Sequence, residues 1–435
     1  MTIENNEHEK KMTFTDDDAS LSSEDEEKIK QSQMKLFWLI SIGNNSSQLI
    51  ILNFFQYFAA SIVTQGILGY VTAIRNLLIA LFQETFGRLS DKKGRKLLLI
   101  IGFFLNFVAT TLLAFSYSQT MLIIVATIHA FSFSISIPVW NGALGDVTDI
   151  KGRTTFIGKL AAVGQGVGVG LMIILAGTFY ILERFYDKTF DWKVEYGIIF
   201  AVSAALLLIS AISVLFFNET RKVDEDIEYP KLLNAFKNKP FRNFILVNSV
   251  FGISMAVLWP IYPVIQVITL DMTINELIIV SVIYAGFFSI SSYFGGKIGD
   301  RFGRKPILFT TRFILLTVSL FYIPAVIFDS WYFVILTNIV SGICNGAFFV
   351  TMNAYALDLA SDDTKGSYSG LVQVSWGIST FIGSLAAGFI AEAITKTYNE
   401  YTMILATTIA IAIMRAIAAL GYLFVKESLP KENRS

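Results

Sequence analysis

Two charged decapeptides hold the residues of this chain whose types and spacing could do chemistry. They are GRLSDKKGRK at residues 87–96 and GKIGDRFGRK at residues 296–305, and each lies between two long apolar runs. The aspartate in each copy supplies a carboxylate. The N-terminus of a neighbouring helix would stabilise that charge, because its free N–H groups and its dipole favour an anion. The pattern therefore indicates a reversible electrostatic contact.

The other positions of the decapeptide each have an expected role. The first glycine ends a helix where a side chain would obstruct close contact with a neighbouring helix. The second glycine turns the loop, and the Arg-Lys pair begins the next helix. Two copies in register favour a shared structural role over a simple preference for positive charge. The residues concerned are Gly87, Asp91, Gly94, Arg95 and Lys96 in the first copy and Gly296, Asp300, Gly303, Arg304 and Lys305 in the second.

The supply of other reactive side chains is small. The chain has one cysteine, Cys344, and two histidines, His8 and His129, so it offers no disulfide framework and no clustered metal or catalytic site. A phosphate-binding loop of the G-x-x-x-x-G-K-[ST] type is absent. We therefore expect no catalytic residues, no metal and no cofactor, and a membrane enzyme or a non-transporting receptor is a remote alternative. The formal net charge of zero gives no indication of a nucleic-acid partner.

The amino-acid composition indicates that much of this chain lies in a lipid bilayer. Hydrophobic residues make up 54% of the chain and charged residues 16%, against about a quarter charged in soluble domains. Apolar runs of about 20 residues, the length that crosses the hydrocarbon core, recur along the chain. We predict an all-α polytopic membrane protein with 12 transmembrane helices in a lipid bilayer. The spans are placed near 36–57, 64–86, 97–117, 120–143, 156–181, 196–217, 243–266, 276–296, 306–327, 331–355, 368–392 and 402–425.

Charge distribution predicts the topology. Most of the Lys and Arg residues lie in the loops after even-numbered spans and in the two tails. The positive-inside rule then places both termini in the cytoplasm. We expect the membrane to be the plasma membrane. The acidic tail at residues 1–34 is too polar to order itself and is predicted to be disordered. The remaining predicted units are an N-terminal six-helix bundle (35–217), a cytoplasmic linker (218–242), a C-terminal six-helix bundle (243–425) and a cytoplasmic tail (426–435).

The two predicted bundles repeat one another. Besides the decapeptides, Asn141 aligns with Asn353 and Asp146 with Asp358, both at an offset of 212 residues. Parallel six-span repeats are typical of transporters with a substrate site between the halves. The doubled G-x-[LI]-x-D-x-x-G-R-K between spans 2 and 3 and between spans 8 and 9 resembles the signature loop of the major facilitator superfamily. The Pro138 region followed by Asp146 and Arg153 is similar to that superfamily's connection between spans 4 and 5.

The resemblance implies a gate at the cytoplasmic side. Asp91 would dock against the start of span 11, and Arg95 would pair with Asp146, the acid that ends span 4. By symmetry, Asp300 would face the start of span 5. Arg304 would then pair with Asp358. Arg153 belongs to the same cluster, and its counterpart in the second half is Lys365 or Ser367 according to how the loops are aligned.

Polar residues inside the spans are the candidates for a substrate cavity. The resemblance implies that spans 1, 4, 7 and 10 line it, and an unpaired arginine in span 2 would be costly at that depth without a function. Interhelical hydrogen bonding is the alternative role for the amides, and anchoring to the amides of span 1 is the alternative for the arginine. The candidates are Asn45, Gln48, Gln56, Arg75, Asn141, Asn248, Trp259 and Asn345.

Three further expectations concern the buried arginines, the small residues of spans 5 and 11, and the absence of acidic residues from several spans. Arg312 and Arg415 are assigned scaffold roles, because the resemblance makes spans 9 and 12 peripheral. The glycines of span 5 and the small residues of span 11 are assigned to packing between the halves. The absence of Asp and Glu from the cores of spans 1, 4, 5, 7, 8, 10 and 11 leaves the coupling ion, a proton or another ion, open.

The leading functional hypothesis is a monomeric secondary active transporter that moves a small organic molecule by alternating access between its two halves. Efflux of drugs or metabolites is the first expectation, because the predicted cavity is apolar, aromatic and rich in amides. Uptake or facilitated diffusion of a metabolite, such as a sugar or an organic anion, is the alternative.

Overall fold

The computed structural model describes residues 23–147, 153–186, 191–219, 232–360, 365–397 and 400–429, and within these ranges the chain is helical and contains no strand. Spans 1 to 6 are the helices Ser23–Ala60, Gln65–Lys93, Lys96–Leu113, Gln119–Val147, Arg153–Tyr186 and Trp192–Leu215. Spans 7 to 12 are Lys239–Ala256 with Tyr262–Val264 and the π-helical turn Ile265–Thr269, Ile274–Phe302, Arg304–Ile314 with Leu316–Ile327, Tyr332–Asp358, Lys365–Thr397 and Glu400–Leu420. The all-helical prediction is confirmed.

Ten helices of the described ranges are long and apolar enough to cross a membrane. Spans 1 and 7 do not meet this standard, for two different reasons. Span 1 carries a run of amides and serines, GNNSSQ, that lowers its hydropathy. Span 7 is interrupted after Ala256 and continues only as short helical pieces from Tyr262 to Thr269.

Span 1 begins earlier than the composition predicts. Its helix starts at Ser23, so residues 23–34, which we assigned to the disordered tail, are helical. The segment EDEEKIKQ explains this start, because Glu, Lys and Gln are good helix formers and acids favour the first turn of a helix. Residues 1–22 lie outside the described ranges, as do residues 220–231 of the predicted linker and residues 430–435 of the C-terminal tail.

Several helix starts are encoded by their own capping residues. Asp191 accepts a hydrogen bond from the backbone N–H of Lys193 at the start of span 6. Asn238 accepts one from Phe241 at the start of span 7. Thr273 and Glu276 form a reciprocal capping box that begins span 8. Such caps satisfy backbone N–H groups that have no partner within the helix.

The two halves pack in the same way. In the first half span 1 packs on spans 5 and 6, span 2 on span 4, and span 3 on spans 4 and 6. The second half repeats this arrangement: span 7 packs on spans 11 and 12, span 8 on span 10, and span 9 on spans 10 and 12. Between the halves, span 2 lies against span 11 and span 5 against span 8. The internal repeat in the sequence is therefore a repeat of structure.

Close contact between spans 2 and 11 depends on glycine. A Cβ atom on Gly69 would lie 2.6 Å from the carbonyl oxygen of Ser384 and 2.8 Å from Cα of Gly388. A Cβ atom on Gly377 would lie 2.1 Å from Cβ of Ala80. Real side chains essentially never approach so closely, so these glycines let the two helix backbones meet.

Gly164 and Gly168 of span 5 pack within their own half, contrary to our expectation, and a Cβ atom on Gly166 or Gly170 would meet nothing within 4 Å. A Cβ atom on Gly164 would meet Asn45 of span 1 at 2.6 Å, and one on Gly168 would meet Ser46 at 3.1 Å. In span 11, Gly383 likewise lies against Ile253 of span 7. Small-residue spacing predicts the close contact at Gly164 and Gly168, but it predicts neither the neighbour that makes it nor the open space beside Gly166 and Gly170.

The hydrophobic core shows how the halves are arranged across the membrane. We call the end with the decapeptides the motif end and the other the opposite end. At the opposite end one core cluster unites both halves, with Phe58 from the first and Ile265 from the second. At the motif end there are two separate clusters, one around Trp140 in the first half and one around Tyr355 in the second. In the part of the chain that the structure describes, the apolar core thus joins the halves at the opposite end and is divided between them at the motif end.

Candidate functional site

A cavity of about 520 Å³ lies between the two halves. Its lining comes from spans 1 and 2 of the first half and from spans 7, 8, 9, 10 and 12 of the second. Its polar side chains are Asn53, Gln56, Thr72, Arg75, Asn76, Gln266, Thr337, Asn338, Ser341, Asn345 and Arg415. None of the described residues that line the cavity is Asp or Glu.

Arg75 is the most exceptional residue of the lining. Its side chain is only 7% exposed, and its Nε is buried without a hydrogen-bond partner in the described residues. The contacts of its guanidinium are aromatic, with Cζ 5.4 Å from the ring centre of Phe55 and 5.9 Å from that of Phe133. Aromatic faces attract a cation, but they do not replace the hydrogen bonds that a guanidinium makes with an anion.

Arg415 reaches the cavity from span 12 and is more firmly held. Its Nη1 donates to the carbonyl oxygen of Leu315 at 3.1 Å and to the hydroxyl of Ser319 at 3.4 Å. Its Nη2 donates to the carbonyl oxygen of Met255 at 3.4 Å, while its Nε has no partner among the described residues. Arg415 therefore links spans 7, 9 and 12, as its scaffold assignment predicts, and it also lines the cavity, which we did not predict.

Arg312 lies beside the cavity without lining it. Its guanidinium carbon is 3.3 Å from the ring centre of Phe348, and Phe251 and Trp376 are further aromatic neighbours. Its Nη1 donates to Oδ1 of Asn345 at 3.0 Å. Because Oδ1 is occupied by this bond, the arrangement orients the amide of Asn345, which does line the cavity.

Aromatic rings provide most of the apolar wall. Tyr262 and Tyr322 stack with ring centres 4.3 Å apart and an interplanar angle of 17°. The hydroxyl of Tyr322 accepts a hydrogen bond of 2.5 Å from Nε2 of Gln266. The interruption of span 7 explains this cluster, because Pro263 lacks an N–H donor and the chain there turns in short helical pieces. Trp259, Tyr57 and Tyr284 complete the aromatic wall.

Half of the predicted cavity residues line this cavity: Gln56, Arg75, Trp259 and Asn345. The other four, Asn45, Gln48, Asn141 and Asn248, are not part of its lining. Asn45 donates to the hydroxyl of Ser41 at 2.9 Å and packs on span 5. Asn248 accepts a hydrogen bond of 2.9 Å from Tyr422. Asn141 is exposed, and Gln48 has an Oε1 atom without a partner in the described residues.

Span 2 supplies two lining residues that were not predicted, Thr72 and Asn76, beside the predicted Arg75. Thr72, Arg75 and Asn76 are spaced by three and four residues and so share one helix face. Thr72 also accepts a hydrogen bond of 3.1 Å from the amide of Gln56 in span 1. The spacing of polar residues along an apolar helix was the signal that could have identified this face. Arg75 was predicted from its charge alone, whereas the resemblance assigns the lining to spans 1, 4, 7 and 10 and gives no role to Thr72 and Asn76.

At the motif end, the predicted charge pairs are present within each half. Arg95 is buried and bonds to Asp146 at 3.0 Å and to Asp91 at 2.5 Å. Arg304 bonds to Asp358 at 3.3 Å and to Asp300 at 2.6 Å. Gly142 makes room for Arg95, since a Cβ atom there would lie 2.5 Å from the guanidinium carbon.

Only the second glycine of each motif fits its expected place. Gly94 and Gly303 have φ angles of 92° and 101°, a conformation that side chains disfavour. Gly87 and Gly296 do not end a helix, because they lie inside the helices Gln65–Lys93 and Ile274–Phe302. A Cβ atom on either would lie 3.5 Å from the neighbouring helix of its own half, at Pro138 and at Val350, which is an ordinary contact. The prediction that a side chain there would obstruct helix contact is therefore wrong. Arg153 begins span 5, and its side chain lies outside what the structure describes. The docking of Asp91 on span 11 and of Asp300 on span 5 stays a prediction.

Two glutamates complete the charge clusters. Glu219, just after span 6, accepts hydrogen bonds from the backbone N–H groups of Arg95 at 2.8 Å and of Lys96 at 3.0 Å. Glu427, just after span 12, accepts the equivalent bonds from Arg304 at 2.8 Å and Lys305 at 3.1 Å. Each carboxylate thus caps the N-terminus of the helix that follows the decapeptide.

A further carboxylate joins the two halves at the opposite end. Glu392 of span 11 accepts hydrogen bonds from the hydroxyl of Thr64 and from the backbone N–H of Gly66, both at 3.0 Å. Gly66 lies in the first turn of span 2, so the carboxylate sits at a helix N-terminus of the other half. Lys396 pairs with the second oxygen of Glu392 at 2.7 Å. The described residues contain no group of three or more His, Cys, Asp or Glu that could hold a metal.

Comparison with known proteins identifies the family. The family model of the Major Facilitator Superfamily matches residues 36–252 and again residues 244–435, one match for each half. The chain belongs to the major facilitator superfamily. It is a multi-pass membrane transporter of this superfamily, and its predicted architecture of two repeated halves is confirmed.

Among its relatives, the class H tetracycline resistance protein of Pasteurella multocida is 26% identical over 336 residues, covering 74% of this chain and 78% of that protein. An uncharacterised MFS-type transporter of Methanocaldococcus jannaschii is 23% identical, covering 79% and 83%. The zinc induced facilitator 1 protein of Arabidopsis thaliana is 30% identical but matches only 27% of this chain and 25% of its own length.

Solved structures show the same fold at low sequence identity. A bacterial homologue of the human lysosomal transporter Spinster, in an inward-facing and occupied conformation, has a TM-score of 0.67 at 16% identity, covering 93% of this chain and 97% of that chain. The nucleoside transporter NupG has a TM-score of 0.66 at 15% identity, covering 92% and 100%.

Proposed function

We propose that this member of the major facilitator superfamily is a secondary active transporter that exports a small organic molecule by alternating access. The observation that carries the proposal is the cavity between halves that share one core at the opposite end and have separate cores at the motif end. Positive-inside topology makes the motif end cytoplasmic in the plasma membrane. The structure then corresponds to an inward-facing conformation.

Export is the direction that we propose, for two reasons. The cavity has an aromatic wall with a few amides and hydroxyls, a composition suited to organic compounds. Relatives over most of the chain include a tetracycline resistance protein, and a shorter match is a multidrug transporter of Candida glabrata. Facilitated diffusion or uptake remains the alternative against which the proposal is tested.

Vesicle transport tests the proposal. Purified protein is first screened by thermal unfolding against metabolites and drugs, because a ligand stabilises the state that it binds. Stabilising compounds are then offered to vesicles whose motif ends face outward. We expect accumulation inside these vesicles that depends on an ion gradient. Equal movement with and without any gradient would establish facilitated diffusion, and no movement of any stabilising compound would overturn the transport function.

We further propose that two carboxylates latch the transporter in its two conformations. Glu392 caps the N-terminus of span 2 and holds the opposite end shut in the conformation seen here. Asp91, which is held by Arg95 in this conformation, would cap the N-terminus of span 11 when the motif end closes. The two contacts use the same physics, a charge at a helix N-terminus of the other half.

The latches predict opposite effects for two substitutions. A charge–dipole contact contributes about 0.3–1 kcal/mol, and up to about 2 kcal/mol when partly buried, which is large beside a conformational balance of a few kcal/mol. Asp91→Asn should therefore increase the inward-facing population several-fold, and Glu392→Gln should decrease it. The measurement is the rate at which a membrane-impermeant thiol reagent labels a cysteine at the cavity residue Ser341 from the motif side, in a Cys344→Ala background.

Lys92→Gln is the control for the loop charge, since Lys92 neighbours Asp91 without taking part in the proposed latch. It should leave the labelling rate unchanged. If Asp91→Asn also leaves it unchanged while transport is normal, Asp91 is only a topological charge and the latch at the motif end does not exist.

A further inference from the structure

We propose that the transported molecule is an organic anion with a flat apolar body, and that Arg75 and Arg415 hold its acidic group from opposite halves of the protein. The inference rests on the proposed transport function and names its substrate class. It follows from the charge balance of the cavity, from the unused hydrogen-bonding capacity of its arginines and from its aromatic wall.

The charge balance is one-sided. The cavity lining contains two arginines, and no described lining residue is acidic. Both side chains are deeply buried, at 7% exposure for Arg75 and 2% for Arg415. A buried charge without a partner is costly, so a site of this kind is stabilised by an anion and destabilised by a cation. An arginine also stays protonated over the whole physiological pH range.

Arg75 is free for a ligand in a way that the other buried arginines are not. No hydrogen bond to its guanidinium is found in the described residues, and its neighbours are the rings of Phe55 and Phe133. Arg312 is enclosed by aromatic rings and bonded to Asn345. Arg415 makes three bonds to spans 7 and 9, yet its Nε is without a partner there. Arg75 is therefore the principal anion ligand, and Arg415 is the second.

The aromatic wall specifies the rest of the molecule. The stacked pair of Tyr262 and Tyr322 presents a flat surface, and Trp259, Tyr57 and Tyr284 line the same space. Planar apolar groups pack well against such rings. A volume of about 520 Å³ lies within the range of pockets that hold small organic ligands. An amphipathic anion, with one acidic group and a fused-ring body, matches both features.

The position of the two arginines also couples binding to the conformational change. Arg75 belongs to span 2 of the first half and Arg415 to span 12 of the second. An anion bound by both would join the two halves through its acidic group, so that closure of the motif end follows binding.

Two dyes with the same fused-ring body test the inference. Fluorescein is negatively charged and rhodamine 123 is positively charged, and both share a xanthene ring system. Fluorescence anisotropy with the purified full-length protein measures the affinity for each. We expect fluorescein to bind at least tenfold more tightly than rhodamine 123. Arg75→Gln should weaken fluorescein binding roughly ten- to hundredfold, the range for a lost hydrogen bond to a charged group.

Two variants control this experiment. Arg75→Lys keeps the charge and should lose much less affinity than Arg75→Gln. Arg88→Gln removes an arginine of the same helix that pairs with Glu84 outside the cavity, and it should bind fluorescein as the wild type does. A similar unfolding temperature for all variants shows that the loss is local.

The possible failures are distinguishable. Rhodamine 123 binding as tight as fluorescein binding, no fluorescein binding at all, or unchanged binding by Arg75→Gln would each overturn the anion inference. If rhodamine 123 is also accumulated by vesicles, the transport function stands without the anion site. If fluorescein binds through Arg75 but vesicles accumulate no compound, the anion site stands and the transport function falls.

Discussion

A valine at Gly69 is expected to lower the transport rate at least tenfold while leaving a folded protein. The helix backbones of spans 2 and 11 meet at this point, where even a Cβ atom would lie 2.6 Å from the carbonyl oxygen of Ser384. Overpacking of this kind costs about 1–3 kcal/mol, and here the cost falls on the closed form of the opposite end alone. Because alternating access needs that end to close in every cycle, the transport rate should fall at least tenfold.

Gly177→Val is the matched control. Gly177 lies in span 5, and a Cβ atom there would meet nothing within 4 Å. This variant introduces the same side chain into a membrane helix and should transport at the wild-type rate. Vesicle transport and the labelling rate of a cysteine at Ser341 from the motif side are measured for both. Normal transport by Gly69→Val would show that tight closure between spans 2 and 11 is not part of the cycle.

The charge pairs of the motif end could be predicted because the motif that contains them occurs in both halves of the sequence. Arg95 with Asp146 and Arg304 with Asp358 follow from two aligned copies of the same pattern, and the structure contains both pairs. Glu219 and Glu427 stand in equivalent places after spans 6 and 12, in the segments NET and KES. Their shared position in the repeat was visible, but their partners are backbone N–H groups, which carry no signature in the sequence.

The cavity could be predicted only in part, because polarity does not reveal which way a helix face points. Arg75 could be recognised from the sequence alone, because placing a charged side chain in a membrane helix costs free energy and such residues usually have a function. The amides Asn45 and Gln56 lie on the same helix, yet Asn45 packs on span 5 while Gln56 lines the cavity. Arg415 was assigned to the scaffold from the position of its span. The side chain of Arg415 is long enough to reach the cavity from span 12.

The state of the transporter could not be predicted at all. Both conformations of an alternating-access protein use the same sequence and nearly the same helices. They differ in which end has its halves in contact, a balance of a few kcal/mol. The joined core at the opposite end and the separate cores at the motif end are therefore findings of the structure.

A covalent tether across the opposite end is expected to have the second large effect. Thr64 and Glu392 are in hydrogen-bond contact at 3.0 Å and belong to different halves. Cysteines at these two positions, in a Cys344→Ala background, can be joined by a short bis-methanethiosulfonate crosslinker. The tether holds the opposite end in its closed form, and the cavity can then open only toward the motif end. The two single-cysteine variants, treated in the same way, control for the loss of the native contact.

Vesicle transport by the tethered protein tests alternating access most directly. We expect transport to fall in proportion to the crosslinked fraction seen on a gel, to the level of protein-free vesicles at full crosslinking, and to return when a reducing agent cleaves the tether. The single-cysteine variants should keep transporting under the same treatment. Transport at the normal rate by fully crosslinked protein would show that the opposite end has no need to open, and alternating access would then be wrong for this protein.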